Sequence, residues 1–320
     1  MQTLETPVLI VGAGPAGLAL AADLTSKNVK SMVIETRTEP TAHPRATLLG
    51  SRSMEYYRRL GLDEEIIRTG LPTCNGYKII FATRLSGHTL YEHESPSPDA
   101  YQAAHREMRT DVPESAWTPY FKEQIGQHML EPIVKRWILE RGVADVRYGW
   151  EFESFEQDAE GVTSVVRNLE TGEKVQVRSR FLVACDGGRS TIRATLGIPY
   201  TGRGAMRRNV SYLFRSPEFL KHATVGWANL YFMFKPGHFG VFTNINGGEI
   251  WNYQNYVLEG DENGAERDPE VQIREAMGGD FPFEILQVMH WSHHQSVADT
   301  FRAGNVFLAG DAAHLFCPTG

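Results

Sequence analysis

The chain has 320 residues, 30 of them glycine and 16 proline, too much for one small core and enough for about two domains. Hydrophobic residues make up 42% and charged residues 22%, a globular balance that excludes wholesale disorder and fibrous structure. The net charge of −7 argues against a protein that coats duplex nucleic acid. Cys74, Cys185 and Cys317 are too scattered for a metal-spaced pair or a disulfide framework, which points to a reducing, cytoplasmic setting.

The most apolar stretch runs from Val8 to Ala22. Glu5 precedes it where a secretory signal wants a positive leader. Gly12, Gly14, Pro15 and Gly17 interrupt it, and it falls short of the ~20 residues of a membrane span. It reads instead as the start of a βαβ unit: a buried strand over Pro7–Val11, a helix over Pro15–Lys27, and a second strand over Ser31–Ile34 ending at Glu35. Ser51–Leu60 reads as a helix stopped by Gly61. From Tyr77 to Tyr120 the pattern is β-like and loopy, with Pro96 and Pro98 as breakers. Glu123–Arg141 has the amphipathic pattern of a long helix closed by Gly142. Trp150–Val177 reads as a three-stranded meander turning at Asp158–Gly161 and Glu170–Gly172, before a buried strand over Arg180–Ala184. Asn209–Val297 is rich in aromatic and β-branched residues, an antiparallel sheet with one helix over Pro269–Met277. Asn305–Leu308 is a last buried strand. The fold class is therefore α/β, a Rossmann-like nucleotide-binding domain with an inserted antiparallel-β domain.

Three motifs carry chemistry. Gly12-Ala13-Gly14-Pro15-Ala16-Gly17 lies between strand and helix. Gly12 permits the tight turn, Gly14 lets the backbone approach a pyrophosphate, and Gly17 lets the helix pack closely on the strand. The helix N-terminus offers unpaired N–H groups and a positive dipole end to the phosphates. Glu35 ends the second strand, where an acceptor for a ribose hydroxyl belongs. An acid there repels a 2′-phosphate, so the site favours FAD or NAD over NADP. Cys185-Asp186-Gly187-Gly188-Arg189-Ser190-Thr191-Ile192-Arg193 follows one buried strand, and Ala309-Gly310-Asp311 follows another.

Together these elements resemble the class A FAD-dependent monooxygenases, the aromatic hydroxylases related to para-hydroxybenzoate hydroxylase, over essentially the whole chain. The resemblance implies that Gly12, Gly14, Ala16 and Gly17 bind the ADP part of FAD with Glu35. It assigns Asp186 to both FAD and the nicotinamide nucleotide, and Gly310 and Asp311 to the ribityl chain. His43-Pro44-Arg45-Ala46 matches the segment whose arginine contacts FAD, Gln127 the glutamine that opens the long helix and touches FAD, and Pro318 the proline near the flavin ring. Where many relatives carry Arg after the ribose acid, this chain has Thr36, with Arg37 as a substitute.

The implied activity is hydroxylation of an aromatic substrate, phenolic or polyketide-like, with NAD(P)H and O2 through a flavin C4a-hydroperoxide. No catalytic side chain can be singled out. The resemblance divides the chain into an FAD-binding domain over 1–80, 118–200 and 298–320 and a substrate domain over 81–117 and 201–297. It also places a further glycine-rich loop and helix after Pro318-Thr319-Gly320, so the sequence reads as part of a longer polypeptide.

Other readings stay open: a non-catalytic FAD-fold remnant that binds flavin or ligand, or another flavin oxidoreductase. The Trp-x-Trp-x-Ile-Pro element of halogenases is missing around Trp227 or Trp251, and the closely spaced cysteine pair of a disulfide reductase is missing too. His290, His293 and His294 have no acid or cysteine to complete a metal shell. No Gly-x-Ser-x-Gly elbow accompanies the Ser, His and Asp residues. His314 reads as structural, Gly202-Arg203-Gly204 as a connector, and Tyr212, Phe214, Trp227, Tyr231, Phe232 and Phe234 as sheet core.

Overall fold

The structure is a computed structural model that describes residues 2–112, 117–258 and 266–317. It divides into two compact units, the first from residues 1–42, 130–204 and 294–320, the second from 43–129 and 205–293.

In the first unit the parallel strands run in the spatial order Val306–Leu308, Lys174–Ala184, Gln2–Val11, Ser31–Glu35, Ala144–Tyr148. Their register aligns Leu308 with Ala184, Ala184 with Val11, and Val11 with Ile34. Four strands thus end along one edge, and the residues that follow them emerge side by side. In open α/β sheets this carboxyl edge is where ligands bind. The core beneath it includes the fully buried Leu9, Ile34, Leu182 and Val306. The helix Pro15–Ser26 buries Leu18, Ala21, Ala22 and Thr25, and Pro15 opens it without wasting a donor. The expected meander and the buried strand that follows it share one element. The Lys174–Ala184 strand pairs antiparallel with Val162–Asn168 at its start and parallel with Val306–Leu308 at its end.

The second unit is built on a sheet whose strands follow the order Glu284–Ala298, Tyr200–Arg215, Ile250–Tyr256, His238–Asn244, Leu230–Lys235, Tyr77–Ala82, Thr89–Ser95. One pairing departs from the antiparallel expectation, Leu230–Lys235 running parallel to Tyr77–Ala82. One sheet face packs on the helix Pro269–Met277 through a core that contains Tyr212, Phe214, Tyr231, Trp251 and Ile273. Strand alternation turns Phe232 and Phe234 to the opposite face, where Phe234 is exposed. Only part of the aromatic group is therefore core.

Several expected boundaries shift. Glu123–Gln124 is a short strand paired with Leu48–Leu49, and the long helix begins at Gln127. Pro98 starts a helix, Pro98–Arg106, rather than breaking a strand; the Ser97 hydroxyl accepts the Ala100 N–H at 3.1 Å as its cap. Asp63–Thr69 is a further helix, with three acids in its first turn. Gly202-Arg203-Gly204 lies inside the Tyr200–Arg215 strand, where a Cβ on Gly202 would sit 2.1 Å from the Gln295 carbonyl oxygen. The unit boundaries differ from the domain division read from sequence: residues 43–80 and 118–129 go with the second sheet. There the Gln124 side chain donates to the Asn244 carbonyl and accepts from Asn229 Nδ2 at 2.7 Å, which ties them to that sheet.

Candidate functional site

The carboxyl edge of the first unit collects eight of the eleven cofactor-site residues named from sequence. Gly12 has φ +105°, and a Cβ there would lie 2.2 Å from the Cys185 carbonyl oxygen. A Cβ on Gly17 would lie 1.9 Å from the Gly12 oxygen. Both glycines are demanded by the protein's own packing. Gly14 is different. It caps the Pro15–Ser26 helix in extended conformation, and a Cβ there would meet nothing within 4 Å. Internal packing does not ask for glycine at this position, but close approach of a phosphate would. Gly310, at φ +58°, brings the third loop against the helix: its added Cβ would meet Ala16 Cβ at 2.8 Å.

Glu35 closes the turn from the other side. Its carboxylate accepts the Ala13 N–H at 2.9 Å, the Arg37 N–H at 3.0 Å and Arg37 Nε at 3.1 Å. Burial alone would raise its pKa, but these bonds outweigh burial and hold Glu35 below the usual carboxylate value. Arg37 also lies 3.8 Å from the buried Glu131. Thr36 thus leaves the ion pair with Glu35 to Arg37.

Asp186 sits past the Lys174–Ala184 strand. Its Oδ2 accepts from the Ile192 N–H and the Thr191 hydroxyl at 3.4 and 3.5 Å, both long. Its Oδ1 is buried with no partner among the described residues. A buried carboxylate oxygen left unpaired is costly unless a donor such as water or a bound group meets it. Asp311 is exposed at the start of a short 3-10 turn, Gly310–Ala312. Cys185 packs under the turn, where burial first and Asp186 second push its thiol up to about 12, so it stays a protonated thiol.

Two residues not singled out from sequence join this group. The Tyr200 hydroxyl donates to the Asp311 backbone oxygen at 2.5 Å. The Arg193 guanidinium lies over the Tyr200 ring at 3.7 Å and donates to the Ile198 oxygen at 2.8 Å. Tyr200 closes Gly197-Ile198-Pro199 after the Asp-Gly motif, and nothing in that spacing announces what its hydroxyl reaches.

Arg45 and Gln127 belong to the second unit. There the Gln127 N–H donates to the Ala46 oxygen at 2.8 Å, and Gly126 lies close to Pro44. The two expected segments are thus neighbours within that unit. Arg45 is exposed, Gln127 buried. Next to them His43 is pushed down to about 4, by burial first and then by Arg45 and His128, so it is neutral. Pro318 lies outside the described residues. His314, on the strand His314–Leu315, packs tilted against the Phe316 ring, centroids 4.7 Å apart. Among the described residues no group of three or more His, Cys, Asp or Glu could hold a metal ion, and no helix is long and apolar enough to cross a membrane.

The first unit's residues fit FAD on their own geometry: an unobstructed Gly14 at a helix N-terminus, an acid beside the turn, a buried orphan oxygen on Asp186, and an exposed Asp311. Known proteins agree. The chain is 33% identical to tetracenomycin B2 monooxygenase-dioxygenase of Streptomyces olivaceus, with 100% of this chain and 60% of that protein covered. It is 33% identical to 4-methyl-5-nitrocatechol 5-monooxygenase of a Burkholderia species, covering 99% and 57%. The substrate-free structure of the rebeccamycin biosynthetic enzyme RebC superposes with a TM-score of 0.87 at 32% identity, covering 100% of this chain and 60% of that one. The chain spans about three fifths of the length of these relatives. The model of the FAD binding domain family matches residues 5–320, and the chain belongs to this family, that of the class A FAD-dependent monooxygenases.

Proposed function

We propose that the protein hydroxylates an aromatic compound, phenolic or polyketide-like, using FAD, NADH or NADPH, and O2. One observation carries the reading: the Gly14 turn, Glu35, the orphan Asp186 oxygen and Asp311 all emerge at the ends of adjacent parallel strands. The named relatives, a tetracenomycin B2 monooxygenase-dioxygenase and a nitrocatechol monooxygenase, support an aromatic substrate. The overall reaction consumes substrate, O2, NAD(P)H and a proton, and yields hydroxylated product, NAD(P)+ and water.

Bound FAD supplies the electron and oxygen-transfer chemistry. The chain's residues bind and orient it. The N–H groups at the start of the Pro15–Ser26 helix would hold the pyrophosphate, with Gly14 leaving room for it. Glu35, held ionised by Arg37, accepts a ribose hydroxyl. Asp186 Oδ1 and Asp311 accept from the rest of the cofactor, and Gly310 lets the Asp311 loop close on Ala16. Arg45, Gln127 and Pro318 are further proposed FAD contacts. The second unit, with its aromatic-rich sheet, is proposed as the substrate domain.

The test begins with colour. Purified protein should show a flavin spectrum, consume NAD(P)H faster when phenols or multi-ring phenolic quinones are added, and yield a product carrying one oxygen atom from O2. A colourless protein that added FAD cannot reconstitute overturns the reading. NAD(P)H oxidation with no hydroxylated product across both substrate classes favours a remnant that has kept flavin but lost hydroxylation.

A further inference from the structure

We infer that Tyr200 is a positioning residue for the cofactor: its hydroxyl braces the Asp311 loop against the Asp186–Arg193 segment, so that the two acids are presented at a fixed spacing. The inference rests on the FAD reading above and adds a residue to it.

The geometry is local and lies within the first unit. Asp311 follows Gly310, whose left-handed backbone sets the direction of the loop. Nothing in the described structure holds the exposed Asp311 carboxylate, so its aim depends on the backbone that carries it. That backbone carbonyl accepts the Tyr200 hydroxyl. The Tyr200 ring lies under the Arg193 guanidinium at 3.7 Å. Arg193 is fixed in turn: its N–H donates to the Ser190 hydroxyl at 3.0 Å, its Nη1 to the Ile198 oxygen at 2.8 Å, and the Ile198 N–H returns to the Arg193 oxygen at 3.2 Å. Ser190 caps the short helix Thr191–Thr195, whose Ile192 N–H reaches Asp186. On its far side Tyr200 is held by its neighbours, since Asp299 accepts the Thr201 hydroxyl at 2.5 Å and the Asp299 N–H donates to the Pro199 oxygen at 3.1 Å. A continuous chain of contacts thus runs from Asp186 through Arg193 and Tyr200 to Asp311.

Tyr200→Phe removes the hydroxyl and keeps the ring under Arg193, so it isolates the brace. Loss of one positioning hydrogen bond predicts a rise of about 3- to 10-fold in the Kd for FAD. ADP, which would use the Gly12–Gly17 turn and Glu35 but not Asp311, serves as the control and should bind the variant as it binds the parent. FAD and ADP affinities would be measured on the apoprotein by quenching of flavin fluorescence and by competition, with apoprotein melting temperatures alongside. Tyr200→Leu, which also removes the platform for Arg193, should weaken FAD further. Equal FAD affinity in parent and Tyr200→Phe overturns the brace alone, and so does a loss that strikes ADP and FAD equally or that tracks a fall in apoprotein melting temperature. A parent protein that takes up no FAD overturns the functional reading, and the brace falls with it.

Discussion

Gly12 and Gly14 share a turn but answer to different constraints. At Gly12 the backbone is left-handed and a Cβ would strike the Cys185 carbonyl. Gly12→Ala should destabilise the apoprotein by about 1–3 kcal/mol from backbone strain, with the steric clash added. Gly14→Ala should leave the apoprotein melt within about 1 kcal/mol of the parent and still raise the Kd for FAD by about tenfold or more, because the methyl occupies the phosphate's approach. If Gly14→Ala binds FAD like the parent, the phosphate does not sit over that turn. Glu35 has a pH signature. Its folded pKa lies below its ordinary 4.5, so the stability it contributes is complete above about pH 4.5 and is lost as pH falls through the folded value. Glu35→Gln should flatten that acid limb in urea melts taken at successive pH values, and an unchanged limb would show that the Arg37 contact contributes little. Glu123 runs the opposite way. Burial first, and Asp99 second, push it up to about 7, so its contribution is greatest below about pH 4.5 and is lost as pH rises through about 7. Glu123→Gln should therefore raise the melting temperature at pH 8 relative to the parent, and do so less or not at all at pH 5. The reverse ordering would mean that the carboxyl stays ionised in the fold.

At the level of elements, local chemistry decides the ends and partners decide the rest. The helix Pro269–Met277 is legible from sequence because its caps are local: Asp268 accepts the Glu270 and Val271 N–H groups at 2.8 and 3.2 Å, Pro269 starts it, and Gly278 leaves it with φ +94°. Asp268→Ala should cost about 1 kcal/mol in chemical denaturation, and no measurable change would mean that packing of Ile273, Ala276 and Met277 alone sustains the helix. The helix Pro98–Arg106 has a comparable cap-then-proline start, Ser97-Pro98, but a proline next to β-like text reads equally well as a breaker. Glu123–Gln124 looks like the first turn of the helix that follows. Its strand state comes from Leu48–Leu49 across the gap and from Gln124 reaching Asn229 and Asn244, partners that no window around residue 123 contains.

Across the molecule, the chain crosses between its two units several times, the first drawing on three segments and the second on two. Cofactor binding is then a stability term as well as a catalytic one. Since FAD binds folded protein and not the unfolded chain, stripping it should lower the melting temperature, and free FAD at about 100 times its Kd should restore about 2.7 kcal/mol. Calorimetry of stripped and reconstituted protein checks this; identical melts would mean that FAD does not bind the native state. The relatives extend well beyond the matched length.

The sequence by itself determined the βαβ start, the three loop motifs and the acids they carry, because each is written in residues a few positions apart: glycines spaced through one turn, an acid where a strand ends, a cap before a helix. It also carried the family resemblance. Only the tertiary structure decided which strands end together, that Lys174–Ala184 serves two pairings, and that residues 43–80 pack with the second sheet. It alone joined Tyr200 to Asp311 and left one Asp186 oxygen buried and without a partner among the described residues. Hydrogen bonds and burial between residues a hundred positions apart are set by sheet register, and register is a property of the folded chain rather than of any segment.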